Sequence, residues 1–135
     1  MSVLVDTGVI VAAFNRRDRY HRWARRLLRD ILGGRYGPPY VTDYIVDEVL
    51  SFAASRLGEV PALRLGAAFF EKRLFRIIPV TLDLVFEAWE VYRRHLPRLS
   101  FTDAATLAAA EAYGVDYIAT VDEALAGLYP SLAPR

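Results

Sequence analysis

Residues 2 to 14 read SVLVDTGVIVAAF, and this stretch decides how we interpret the rest of the chain. The apolar run Val3–Val5 has the length of a buried strand and ends on a carboxylate, Asp6. Thr7–Phe14 follows at once and is predicted to form a short helix. A strand that ends on a carboxylate and turns directly into a helix is typical of open α/β sheets, which bind ligands at the carboxyl ends of their strands. We therefore expect Asp6 to lie at the centre of a functional site.

The remainder of the chain alternates between helical and strand patterns, with Gly, Pro or polar clusters between them. Further helices are predicted at Tyr20–Leu32, Asp43–Leu57, Pro61–Leu74, Leu82–His95, Thr102–Tyr113 and Glu123–Leu128. Further strands are predicted at Tyr40–Val41, Phe75–Val80 and Val115–Val121. Strands that alternate with helices indicate a parallel sheet with helices on both faces.

Apolar spacing marks candidate core positions in the later helices. In Pro61–Leu74 the core candidates are Leu65, Phe69 and Phe70. In Leu82–His95 one helical stripe contains Leu82, Val85, Phe86, Trp89 and Tyr92. Pro79 predicts that its strand lies at the edge of the sheet or ends there, because proline cannot donate a hydrogen bond to a neighbouring strand.

The composition predicts one domain that spans residues 1–135. The chain is 54% hydrophobic and has a net charge of +1, which by itself says nothing about nucleic acid. It contains no cysteine, which excludes disulfides and thiolate metal sites. Charged residues interrupt every apolar run before the length of a membrane span, and no signal peptide is recognisable. We expect a soluble cytoplasmic protein.

Four carboxylates are candidates for a shared site. Asp6 and Asp122 follow predicted strands, and Asp103 opens the helix of SFTDAATLAAA, so all three are expected at one edge of the sheet. Glu48 lies at the edge of an apolar arc on its helix. It is therefore expected to be partly buried and to need a polar partner.

Each acid also has a purely structural interpretation, which the sequence leaves open. Asp6 and Asp122 could cap the helices that follow them, Asp103 could complete a capping box with Ser100, and Glu48 could pair with an arginine. Together, however, carboxylates at one edge repel one another near neutral pH, and a cation between them removes that repulsion. Oxygen ligands favour Mg²⁺ or Mn²⁺ over zinc.

A hard cation held by carboxylates favours phosphodiester hydrolysis. It lowers the pKa of a bound water and neutralises charge on a phosphate, and two ions roughly 4 Å apart would contact both the attacking and the leaving oxygen. No Ser–His pair offers another nucleophile, since His21 lies among arginines and His95 ends a helix before Pro97.

Three blocks of sequence resemble one known family. They are VDTGVIVAAF near the start, TDYIVDEVLSF in the middle and SFTDAATLAAAEAYGVDYIATVDEAL near the end. The chain is similar to PIN-domain ribonucleases of the toxin type, the VapC-like half of a type II toxin–antitoxin pair. The resemblance covers nearly the whole chain, and its most specific part is SFTDA followed by ATVD. It implies a three-layer α/β/α sandwich with a parallel sheet of four or five strands.

The resemblance also implies roles for single residues. The family's four catalytic acids, which bind Mg²⁺ or Mn²⁺, match Asp6, Glu48, Asp103 and Asp122. Of these, Asp6 and Asp103 match the acids that bind the metal most firmly in the family. The hydroxyl residues beside the acids match Thr7, Thr102 and Thr120. Cleavage of RNA, a homodimer and inhibition by a small antitoxin protein are implied as well.

Two features depart from the family pattern. The tail ALAGLYPSLAPR is short and interrupted by proline, so the final strand of the family is expected to be missing or vestigial. Asp122 is followed by Glu123 and Ala124, where relatives often have a basic or polar residue and then an aromatic one. The resemblance therefore supports Asp122 less than the other three acids.

Arginine dominates the basic residues, since only Lys72 among the 17 is a lysine. One face of the Tyr20–Leu32 helix carries Arg22, Arg25, Arg26 and Arg29, just after Arg16, Arg17 and Arg19. Arginine suits bidentate contacts with phosphate, so this face could contact RNA; it could also dock an acidic antitoxin segment. A solvated outer face and the codon usage of a GC-rich genome are the structural alternatives.

Two other functions stay open. One is a PIN nuclease of RNA processing or decay, which the domain alone does not distinguish from a toxin. The other is a non-catalytic α/β binding domain. A receiver domain would need a lysine at the end of a late strand, and a P-loop protein would need Gly-Lys-Ser/Thr; the chain has neither.

Overall fold

A computed structural model describes all residues from 1 to 135. Five parallel strands form one sheet in the order β3-β2-β1-β4-β5. The strands are β1 (Val3–Val5), β2 (Pro39–Thr42), β3 (Arg76–Ile78), β4 (Tyr117–Ala119) and β5 (Ser131–Leu132). The helices are α1 (Thr7–Phe14), α2 (His21–Leu32), α3 (Asp43–Phe52), α4 (Glu59–Phe70), α5 (Leu82–His95), α6 (Phe101–Tyr113) and α7 (Glu123–Ala126). The predicted α/β sandwich with a parallel sheet is confirmed.

The helices pack in two groups around the sheet. Helix α1 contacts α2 and α3, while α5 packs along α6. The middle of α1 (Val9–Ala13) and most of α6 (Ala104–Ala110) are buried, because a second layer of helices covers each of them. None of the helices combines the length and the apolar character that crossing a bilayer requires.

The connections diverge between the two central strands. From β1 the chain continues to β2 and β3 on one side, whereas β4 continues to β5 on the other. Such a switch point opens a crevice outside the carboxyl ends of the two strands. The register pairs Val5 with Ala119, so the next residues of the two strands, Asp6 and Thr120, meet at this crevice.

Several predicted boundaries are wrong by a few residues. Helix α4 ends at Phe70 rather than Leu74, because the chain turns at Arg73, which has a left-handed φ of 50°. The predicted helix Asp43–Leu57 is α-helical only as far as Phe52 and continues as a π-helical turn. The strands β3 and β4 are each three residues long. The vestigial final strand is confirmed as β5, with two residues.

Strand β4 ends at Ala119, so Asp122 does not end a strand as predicted but lies at the start of α7. Pro79 predicted an edge position or the end of its strand, and both are confirmed: β3 pairs only with β2, and it ends at Ile78.

Four of the predicted apolar positions are exposed, one on α4 and three on α5. Of the core candidates on α4, Leu65 and Phe69 are buried, but Phe70 is 58% exposed. On α5 the buried positions are Leu84, which belongs to the main core, and Ala88, which packs with Ala104 and Ala105 of α6. The predicted stripe lies largely on the opposite side, where Leu82, Phe86 and Trp89 are exposed. Helical spacing identified the stripe but not the side that faces the protein.

Candidate active site

Asp6 is the buried acid of the crevice. It is 5% exposed, and its backbone N–H donates to the carbonyl oxygen of Ala119 at 2.9 Å, which prolongs the pairing of β1 with β4. Its Oδ1 accepts the backbone N–H of Thr7 at 2.9 Å, and its Oδ2 accepts the hydroxyl of Thr120 at 2.8 Å. Asp6 therefore caps α1, and the same bonds fix the orientation of its carboxylate at the switch point.

Two threonine hydroxyls connect the neighbouring segments. Thr7 Oγ1 donates to Glu48 Oε1 at 2.6 Å and so joins the start of α1 to α3. Glu48 is half-buried, as expected, and its partner is this hydroxyl rather than an arginine. On the other side, Thr120 Oγ1 accepts the backbone N–H of Asp122 at 3.0 Å. Thr102, the third hydroxyl residue of the family pattern, contributes only its backbone carbonyl to a bond within α6.

The other two aspartates are held by helix N-termini. The Ser100 hydroxyl accepts the backbone N–H of Asp103 at 3.1 Å, and Asp103 Oδ2 accepts the backbone N–H of Ser100 at 3.2 Å. Asp122 Oδ1 accepts the backbone N–H of Leu125 at 3.1 Å as the N-cap of α7. The capping interpretations are thus correct for these acids. Helix dipoles favour the negative charges at these positions, so capping and a cation site are compatible.

The carboxylates of the crevice perturb one another. Burial raises the pKa of Asp6 to about 7, and the negative charges of Asp103 and Glu48 raise it as well, against the hydrogen bonds from Thr120 and Thr7. Burial also raises the pKa of Asp103, and the charges of Asp122 and Glu48 act in the same direction. These interactions link Asp6 with Asp103 and Glu48, and Asp103 with Asp122 and Glu48. A group of titratable residues perturbed in this way within a crevice is a candidate functional site.

The chemistry of these donors fits a hard divalent cation. All four side chains are carboxylates, and none of the ion pairs in the structure involves any of them. A cation would offset the burial cost and the repulsion, which together raise the pKa of Asp6. However, no three His, Asp or Glu side chains are grouped so that they could hold one ion together. Such an ion would be bound by one or two carboxylates and several waters, which is how Mg²⁺ is commonly held.

Comparison with known proteins gives the family of this chain. The model of the PIN domain family matches residues 3–129. The chain belongs to the PIN domain family. This PIN domain is 26% identical over 113 residues to a VapC ribonuclease from Archaeoglobus fulgidus, an alignment that covers 82% of this chain and 71% of the relative.

Solved structures share the fold of this PIN domain. VapC20 from Mycobacterium tuberculosis, described as a toxin that cleaves the sarcin–ricin loop, has a TM-score of 0.81 and 27% identity, covering 93% of this chain and 94% of its own. A toxin–antitoxin complex from Klebsiella pneumoniae has a TM-score of 0.73 and 21% identity, and the match covers 98% of both chains. At 21% identity, the likeness to the Klebsiella pneumoniae complex shows only that the fold is shared.

Sequence analysis did not single out Gly8, on which the geometry of this PIN domain's crevice depends. A Cβ atom added to Gly8 would lie 2.5 Å from Cγ2 of Val121, in the segment that links Thr120 to Asp122. Only glycine therefore allows α1 to start so close to the end of β4. The signal was present in the sequence as a glycine in the first turn of a helix, where other residues have higher helix propensity.

Proposed function

We propose that this PIN domain is a Mg²⁺- or Mn²⁺-dependent endoribonuclease that hydrolyses RNA phosphodiester bonds. The observation that carries the proposal is Asp6, a buried carboxylate with no cationic partner at the switch point of the sheet. Hydrogen bonds from Thr7 and Thr120 fix it in place, and Asp103 and Glu48 add negative charge to the same crevice. The relatives named as a VapC ribonuclease and a toxin that cleaves the sarcin–ricin loop give the substrate class.

The residues divide into ligands and positioning groups. We assign the cation to Asp6 and Asp103, with Glu48 and Asp122 contacting it only through bound water. When bound, a divalent cation supplies an activated water and neutralises charge on the scissile phosphate. Thr7 and Thr120 keep the Asp6 carboxylate in one orientation.

Charge-neutral variants test this assignment. Asp6→Asn and Asp103→Asn should each lower the rate of RNA cleavage in Mg²⁺ or Mn²⁺ at least about a hundredfold, because charge stabilisation by the metal is worth several kcal/mol. Asp47→Asn is the matched control, since Asp47 is exposed and lies beside Glu48 on α3. Chelator should abolish cleavage by the wild type. Full activity of both site variants, or cleavage in excess chelator, would refute the proposal.

We further propose that the enzyme acts in the cytoplasm as the toxin of a toxin–antitoxin pair. The likeness to VapC20, described as a toxin, and the fold shared with a toxin–antitoxin complex support this role. Expression should arrest growth, Asp6→Asn should abolish the arrest, and co-expression of an adjacent small reading frame should relieve it. No arrest, despite RNA cleavage in vitro, would favour a nuclease of RNA processing instead.

A homodimer is part of the same proposal. Leu82, Phe86 and Trp89 form an exposed apolar face on α5, with exposed fractions of 70%, 64% and 50%. A second copy of the chain would cover this face, because exposed apolar patches mark interaction surfaces. Light scattering should give the mass of a dimer for the wild type and of a monomer for Trp89→Glu. An unchanged mass would place the interface elsewhere.

A further inference from the structure

A second charged surface lies away from the carboxylates. One arginine from the turn after α1, four from α2 and one from α4 form it, and we refer to them as the arginine face: Arg16, Arg22, Arg25, Arg26, Arg29 and Arg64. Every member is exposed. Arg64 is distant in sequence and reaches this surface only because of the way the helices pack, which the sequence did not reveal.

The guanidinium groups of the arginine face have no anionic partner in the fold. The ion pairs of the structure involve the N-terminus, Arg35 and Arg93, and none of them reaches this surface. Like charges one helical turn apart are unfavourable for an isolated helix. The fold therefore keeps a row of cations here that no intramolecular contact requires.

The part of this surface along α2 favours a polyanion over a protein segment. Two neighbouring depressions share His21, Arg25 and Arg29. The one that adds Arg22 and Arg26 contains no apolar side chain, whereas the one that adds Arg16 and Arg64 also contains four apolar residues: Ala13, Phe14, Leu28 and Leu32. Protein interfaces usually need an apolar centre, whereas phosphate contacts need only cations. Tyr20 and Trp23 are half-buried against the core and against each other, so they contribute no free ring on which a base could stack.

Helix α1 connects the carboxylates with the arginine face. Its first residue follows Asp6, and Ala13 and Phe14 in its last turn lie beside the arginines. His21 fixes α2 to the same turn, through Nδ1 at 2.7 Å from the carbonyl oxygen of Ala12. An eight-residue helix is about 12 Å long, which corresponds to only a few phosphates along one strand of a duplex.

We propose that the arginine face binds the phosphate backbone of the RNA substrate outside the cleavage site. This inference rests on the proposed ribonuclease function. Such contacts are independent of base sequence, add affinity and orient a structured RNA relative to the crevice, and they weaken as salt rises.

The test measures binding without cleavage. Every protein carries Asp6→Asn, and the probe is a fluorescent RNA hairpin titrated at several salt concentrations. Arg25→Gln/Arg29→Gln should lower the affinity on the order of tenfold and reduce the slope of log K against log salt by about 1.5, as expected for two lost phosphate contacts. Arg93→Gln/Arg94→Gln on α5 removes the same charge from the other helical group and should behave like the parent. Glutamine keeps the helix propensity of arginine, so all variants should remain folded.

Two outcomes would overturn the proposal. One is an equal loss of affinity and salt dependence in both double variants, which would mean that only net charge matters. The other is unchanged RNA binding together with weaker binding of polyglutamate, which would assign the face to an acidic protein partner. Failure of the ribonuclease function itself would be seen separately, as absence of cleavage by the wild type.

Discussion

At the carboxylate site Asp6 is almost completely buried and both of its oxygens accept hydrogen bonds, whereas the guanidinium groups of the arginine face are exposed and contact no anion. Both regions concentrate charges of one sign. Solvent screens the arginines, so their repulsion has little effect on stability. Burial prevents such screening at Asp6, and the raised pKa records the resulting free-energy cost. Changes at the acids should therefore alter stability and its pH dependence, and changes at the arginines should alter salt-dependent binding.

The largest effect is expected for Asp6→Asn without divalent cations. The folded-state pKa of Asp6 is about 7, against 3.8 for the ordinary group, so the folded protein binds more protons than the unfolded chain between these pH values. The free energy of unfolding of the wild type should thus fall as pH rises from about 4 to 7. Asparagine removes the charge and still accepts the N–H of Thr7, and at pH 8 it should stabilise the protein by up to about 4 kcal/mol.

Urea unfolding of the wild type, Asp6→Asn and Asp47→Asn in chelator, at pH 4 and pH 8, measures this difference. The site variant should gain stability over the wild type at pH 8 and little at pH 4, whereas the exposed control should follow the wild type at both. Equal pH dependence in all three proteins would mean that the buried acid carries no electrostatic cost, and the contrast with the arginine face would then fail.

A smaller effect is expected where α1 meets the end of β4. In Gly8→Ala the new Cβ would lie 2.5 Å from Cγ2 of Val121, whose β-branched side chain moves little, so the two segments must separate. Overpacking of this kind costs about 1–3 kcal/mol. The shift should also weaken the bond from Thr120 to Asp6 and lower RNA cleavage.

The double variant Gly8→Ala/Val121→Ala provides the control, because it removes the clashing methyl group. It should recover most of the lost stability and cleavage. Additive losses in the double variant would show that the two residues do not interact, and that close contact is not what positions Asp6.

Much of the fold followed from local sequence signals. The bounds of β1, α1 and α5 were predicted correctly, because apolar runs of strand or helix length ended there at polar residues or proline. The end of α4 was not, since the left-handed turn at Arg73 occurs at a residue type that rarely adopts it. The exposed side of α5 was missed for another reason. That helix is apolar on two opposite faces, and spacing alone does not say which face meets α6.

The candidate site was predictable to a similar degree. Strand ends and helix starts placed Asp6 and Asp103 at one edge of the sheet, and the capping box at Ser100 was readable from spacing. The hydroxyl of Thr7 as the partner of Glu48 was not, because the two residues meet only through the packing of α1 on α3. The roles of the four acids in cation binding stay predictions until the variants are measured.

The smallest effect should come from Ser100, which holds the half-buried Asp103 in the site. Ser100→Ala removes the acceptor for the backbone N–H of Asp103, and loss of an N-cap costs about 1 kcal/mol, or roughly 3–5 °C in Tm. The backbone N–H of Ser100 and, to a smaller extent, its hydroxyl lower the pKa of Asp103; alanine keeps the N–H and removes the hydroxyl, so the variant should raise that pKa further. If an ionised Asp103 holds the cation, the acidic limb of the pH–cleavage profile should move to higher pH.

Ser100→Thr keeps the hydroxyl and should leave the limb in place, whereas the arginine double variants should not move it at all. If the acidic limb of Ser100→Ala stays at the same pH although Tm falls, Ser100 only caps the helix. Asp103 would then not be the group whose titration sets the limb.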